Sequence, residues 1–233
     1  MLPLPRLLAL FAVSTSLSAA PALAEMTKSL NINGATGLID MPSGDAQEDA
    51  RFTFSTALVG PITRATISFQ ITDRLSGSFR FQTWRDWDTL FPGDATKLED
   101  KSLDLRYQVL KESKYVPALT IGLTDFTGSG RFSSEYVAAT KTFGDRLKVT
   151  AGLGWGRLGS YGGIGAPFGD RPPVATGDLG TPNTDQWFRG EAAPFAGVEY
   201  KINDRWTFKA EYSSDAYTLE DDTRGIIERD SPY

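Results

Sequence analysis

The sequence predicts an all-β chain, an antiparallel transmembrane β-barrel or the N-terminal part of one, with about nine or ten strands. Three observations carry that prediction. Stretches of about eight to eleven residues alternate apolar and polar side chains. After the first hairpin the connections between them alternate short and long, and an export signal precedes them all. The clearest alternation is 63–72, where Ala65, Ile67, Phe69 and Ile71 point one way and Arg64, Thr66, Ser68 and Gln70 the other, at the two-residue period of a strand. A closed barrel in lipid turns the apolar face outward and the polar face into the lumen. The alternative that shares this pattern is a soluble periplasmic β-sandwich that binds glycan.

Residues 1–24 read as a signal peptide, with a positive charge at Arg6, an apolar run from Leu7 to Val13, and Ala22-Leu23-Ala24 meeting the small-x-small rule for cleavage after Ala24. No segment approaches the roughly 20 apolar residues of a spanning helix. Removing Arg6 from 24 basic residues leaves 23 against 29 acidic ones, a net charge of −6, which argues against a nucleic-acid partner. The chain has no Cys and no His. Disulfides, thiolate or imidazole metal sites and any triad with a His base are thereby excluded, and no cofactor or metal is expected.

The segment 25–50 precedes the barrel domain, 51–233, and 36–41 within it could supply a tenth strand. The nine main candidates are 51–59, 63–72, 75–84, 101–110, 118–125, 135–143, 146–156, 195–202 and 205–213. Three short connections share one formula: Thr72-Asp73-Arg74-Leu75, Gly144-Asp145-Arg146-Leu147 and Asn203-Asp204-Arg205-Trp206. The Asp is expected to accept the hydrogen bonds of the turn, and these read as periplasmic turns. The long connections 85–100, 126–134, 157–194 and 214–231, rich in Gly, Pro, Asp and aromatics, read as extracellular loops. Residues 111–115 could make one helical turn, ended by Pro117. Trp84, Trp155, Trp206, Tyr107, Tyr200 and Tyr212 fall near strand ends or on the apolar face, where an interfacial aromatic belt belongs.

The run DKSLDLRYQVLKESKYVPALTIGLTDFTGSGRFSSEYVAATKTFG at 100–144, GLGWGRLG at 152–159 and GATGLIDMPSGDA at 34–46 closely resemble the YjbH family of exopolysaccharide-biosynthesis proteins of the Gram-negative outer membrane. The resemblance implies a β-barrel that takes part in assembly or export of the polymer without enzymatic activity. Its implied partners are outer-membrane lipid, the exopolysaccharide and other export proteins, and a purely structural scaffold of an export complex is the further option. Family members are usually several times longer than this chain, and without Cys any lipoprotein character of the family is not shared. The residues 228–233 lack the alternation of a closing strand, so either the chain is a fragment or 36–41 completes a ten-stranded barrel.

Function is sought on the polar face. Asp104 and Arg106 lie on it, and Arg80, Glu135 and Lys141 are expected to point the same way, as lumen-facing contacts for glycan hydroxyls or as a structural charge ladder. Gly152, Gly154 and Gly156 share one face of their strand and leave either a smooth glycan track or a point of close approach. In the long loop Tyr161, Phe168, Trp187 and Phe188 are candidates for stacking on sugar. The one carboxylate pair worth testing for glycoside hydrolysis is Asp125 and Glu135, flanking Gly128-Ser129-Gly130. No catalytic residue is assigned.

Overall fold

The computed structural model describes residues 26, 28–85, 96–173 and 180–217, so the expected signal peptide, 1–24, and residues 218–233 lie outside it. The described residues form one nine-stranded antiparallel sheet in chain order: β1 (Phe52–Val59), β2 (Ile62–Gln70), β3 (Leu75–Arg85), β4 (Lys97–Leu110), β5 (Ala118–Thr124), β6 (Ser134–Phe143), β7 (Leu147–Gly156), β8 (Ala193–Lys201) and β9 (Thr207–Tyr212). All nine expected strands are present, and β4 extends four residues further back than its alternation indicated. Among the described residues there is no second sheet to cover the apolar face, as a sandwich would require.

The tenth strand is not there. Residues 36–41 make only isolated bridges, Leu30 with Thr36 and Gly37 with Pro42. The segment instead folds into a compact plug against the polar face. Ser68 of β2 donates to Gly34 O, Gln108 of β4 and Thr120 of β5 donate to Gly44 O, and Gly44 N donates to Thr140 of β6. Lys148 of β7 reaches Asp45, Ser29 donates to Glu199 of β8, and Lys209 of β9 donates to Gly37 O and Leu38 O. Nine strands laid flat would span about 38 Å at about 4.8 Å per strand. Contact from β2 round to β9 with so short a segment therefore requires a sheet curled around it.

Curling turns the usual distribution inside out. On β4 the face carrying Asp100, Ser102, Asp104, Arg106 and Gln108 is buried, while Leu103 and Tyr107 on the other face are 40% and 48% exposed. Phe52, Phe54, Leu58, Ile67, Phe69, Phe79, Ile121 and Phe208 continue that exposed apolar surface around the outside. Two small apolar clusters lie inside. Leu38 and Met41 of the plug pack with Tyr136, Ala138, Leu158 and Phe195, while Trp84 stacks on Phe132 at 5.1 Å beside Ile62. Trp84 is thus an inward core residue and not part of an outer aromatic belt. Trp155 faces outward but lies beneath Phe168 and Phe188, whereas Tyr107, Tyr200, Trp206 and Tyr212 are exposed on the outside.

The turn formula works by a different side chain than expected. Thr72 Oγ1 accepts from the Arg74 and Leu75 amides, and Asn203 Oδ1 accepts from those of Arg205 and Trp206. Asp73 and Asp204 point away to Lys111 and Lys201, which hold both carboxyls below the usual range. In the third copy Gly144 supplies the positive φ of 65° that the tight turn needs. Residues 111–115 make no helical turn; the chain bends at 114–116, where Ser113 N donates to Val116 O at 2.9 Å.

Candidate functional site

The polar face and the plug together form the candidate site. Strand parity carries Arg80, Asp104 and Arg106 inward, as expected. Arg80 grips Asp104 with two bonds of 3.1 and 3.2 Å, and Asp104 Oδ1 also accepts from the Asp125 amide. Arg106 donates to Thr36 Oγ1, to Ser43 O at 2.8 Å and to Asp45 O at 3.2 Å. Its guanidinium is committed to holding the plug. The clefts left between plug and wall on either side of Arg106 hold about 20 Å³ each, space for little more than a water molecule.

Glu135 and Lys141 stand on the opposite face. The register pairs Glu135 with Leu123 and Trp155, all outward, and the inward face of β6 carries Tyr136, Ala138 and Thr140. Charge suggested a wet lumen face here, but the two residues sit near the two ends of an outward strip whose middle is Val137 and Ala139. Each is neutralised locally. Arg171 of the long loop binds both Glu135 oxygens at 2.7 and 3.1 Å, and Lys141 pairs with Glu112 at 2.6 Å. Burial works against the Glu112 carboxylate, but Lys141 and the Thr142 amide and hydroxyl hold it below its ordinary range.

The glycine row does face inward, and it is occupied. A Cβ on Gly152 would lie 2.2 Å from the Phe195 ring, and one on Gly154 would lie 2.4 Å from Leu158. Close approach, not an open track, explains these two. Gly156 has φ of 63° and abuts Ser133 O. Among the loop aromatics, Tyr161 lies against Tyr212 at 6.2 Å and Phe168 against Trp155 while 62% exposed. Trp187 ends the 3-10 turn Thr184–Gln186 and is half-buried.

Asp125 and Glu135 are each held by partners of their own. Asp125 Oδ2 accepts from the Phe132 amide, Oδ1 is buried without a hydrogen-bond partner, and the residue is held at φ of 51°. Burial, aided by the negative charge of Asp100, pushes its carboxyl up to about 7.

The residues that sequence reasoning missed are the plug's own anchors. Asp45 and Lys148 form a buried ion pair of 2.8 Å. Glu211 accepts from the successive amides of Ile39, Asp40 and Met41 at 2.9, 3.0 and 3.2 Å. At one mouth of the curl Arg157 binds both Asp40 and Asp215, with Tyr217 and Asn33 donating to Asp40. Burial would raise the Asp40 carboxyl, yet Arg157, Arg64 and Tyr217 hold it below its usual range, while burial prevails at Asp215 and raises it. The inward parity of Lys148, Lys209 and Glu211 was the available signal. Nothing in 25–50 told what they would meet.

Plug, curled wall and loop occupy nearly the whole described chain, and the same span is matched by one family. The profile described as "Exopolysaccharide biosynthesis protein YbjH" covers residues 29–233. The chain belongs to the YjbH family. It is 33% identical over 155 residues to "Uncharacterized lipoprotein YjbH" of Escherichia coli (strain K12), a match covering 61% of this chain and 21% of that protein. The chain therefore spans about a fifth of the length of the curated relative it matches. No solved structure matches. The family's connection with exopolysaccharide biosynthesis agrees with the resemblance carried by 34–46, 100–144 and 152–159.

Proposed function

We propose that this YjbH-family chain is a non-enzymatic wall segment of an outer-membrane β-barrel that serves exopolysaccharide production or export, with residues 26–50 as its internal plug. One observation carries the reading: the sheet buries its charged and polar face around the plug and exposes its apolar face. In water that arrangement exposes Phe52, Phe54, Leu58 and their neighbours at a cost of roughly 25 cal/mol per Å² of apolar surface left unburied. Lipid removes the cost. The relative's description as a lipoprotein supports an envelope location, and the family's description supports the polymer as the process served. In this reading Arg106 holds the plug, Arg80 and Asp104 are bound to each other, and a polymer meets the loop aromatics Tyr161, Phe168 and Trp187 before any lumen residue.

The test is to express the chain with its N-terminal signal, fractionate the envelope, and compare gel mobility before and after boiling. Recovery in the outer membrane with a heat-dependent shift is expected, together with loss of secreted polymer when the gene is deleted. A product soluble in the periplasm without detergent would refute the membrane wall. Unchanged polymer in the deletion strain would refute the role.

A further inference from the structure

β1 and β9 are both edges of the sheet, with no strand paired on their outer sides among the described residues. Eight consecutive antiparallel pairings separate them, so the two edges run in the same direction. Direct closure would make a parallel pair, which breaks the antiparallel pattern of bacterial outer-membrane barrels. A second copy fares no better. Two chains inserted in the same sense can only bring β9 of one beside β1 of the other, again in parallel.

Both edges touch the same short stretch of the plug, and both are unprotected. A Cβ on Gly34 would lie 2.6 Å from Ser55 Oγ of β1, and Gly37 O, three residues on, accepts from Lys209 of β9 at 3.0 Å. At up to about 3.6 Å per residue Gly34 and Gly37 stand no more than roughly 11 Å apart, and with the reach of the Ser55 and Lys209 side chains added the two edge backbones lie within roughly 30 Å, which only a few strands at about 4.8 Å spacing can fill. Edge strands that must stay free usually carry charge, Pro or a bulge. β1, FTFSTALV, has none of them, and the charges of β9, Lys209 and Glu211, point inward onto the plug. The adjoining chain turns inside on both sides. Before β1 Gln47 N donates to Oε1 of the buried Gln70, and after β9 Ser214 O accepts from Tyr161 N while Tyr217 Oη donates to Asp40.

We infer that the β1–β9 gap accepts an odd number of strands that the described residues do not supply, one in the simplest case, antiparallel to both edges, apolar outward and small or polar inward. This deepens the wall reading and rests on it, but involves no polymer. The probe is the β5 sequence as a peptide, ALTIGLT, whose Leu119, Ile121 and Leu123 face outward and whose Thr120 and Gly122 face inward in the wall. Amide hydrogen exchange is followed in the purified chain in detergent micelles.

Alone, the edge-directed amides of β1 and β9 are expected to exchange at least a hundredfold faster than those of β3 to β7 at every protein concentration. The peptide is expected to slow both edges tenfold or more, and a peptide of the same residues with the alternation broken is expected to have no effect. Protection of both edges without peptide would overturn the inference in favour of self-closure, and protection that grows with protein concentration would overturn it in favour of copies. Protection by the peptide at one edge or at neither would also overturn it. A chain soluble without detergent removes the wall reading before the exchange experiment begins, which keeps the two failures distinct.

Discussion

Gly44 sits where the plug meets the wall most tightly: a Cβ there would lie 2.5 Å from Ala118 O and 2.9 Å from Ala138 O, both backbone atoms that cannot yield easily. Gly44→Ala is expected to destabilise the protein by about 1–3 kcal/mol, read from denaturant midpoints. Its neighbour Asp45 depends on Lys148 for charge balance. Lys148→Met strands a buried carboxylate and is expected to cost about 3–5 kcal/mol, while Asp45→Asn combined with it recovers most of the loss. Asp125 gives a pH signature. Its folded-state carboxyl titrates at about 7 against 3.8 ordinarily, so the native state holds a proton that the unfolded chain has released. Stability from this group is full below about pH 4 and is lost as pH rises through 7, and Asp125→Asn should flatten that decline in melting temperature between pH 5 and 8.

Period-two alternation located every strand because one face of each meets an environment unlike the other, and that difference is written residue by residue. The plug has no such period. NINGATGLIDMPSGDA makes many of its contacts through backbone groups, such as Gly44 O and the amides of Ile39 to Met41, which every sequence possesses. Faces were legible where the alternation was clean, as at Asp104 and Arg106, and misleading on β6, where Glu135 and Lys141 mark the ends of an outward strip. The turn formula was recognised by its Asp, though the preceding Thr72 or Asn203 closes the turn. Deleting residues 26–50 leaves Arg106, Lys148, Lys209 and Glu211 without their partners in the plug. The expected result is a wall that no longer gives a folded, heat-modifiable band, checked by gel mobility in detergent.

The inside-out distribution makes the environment a measurable property of the whole molecule. Ile121 lies on the outward face of the central strand β5 and is 38% exposed. In lipid Ile121→Arg is expected to destabilise by about 2–4 kcal/mol near the bilayer midplane. At a water-exposed site the same change would be within about 0.5 kcal/mol of neutral. Refolding titrations in lipid vesicles decide between them.

By itself the sequence determined the strands, their order and the two faces of most of them, because local alternation and short turns leave an antiparallel meander as the simplest pairing. It also carried the family, through the runs 34–46 and 100–144. Only the tertiary structure decided what the polar face encloses, that the glycine row is filled by Phe195 and Leu158, and that β1 and β9 remain as parallel-running edges. Those facts depend on contacts between residues as far apart as Asp40 and Tyr217, and on the curvature that brings them together. Neither has a local signature in the chain.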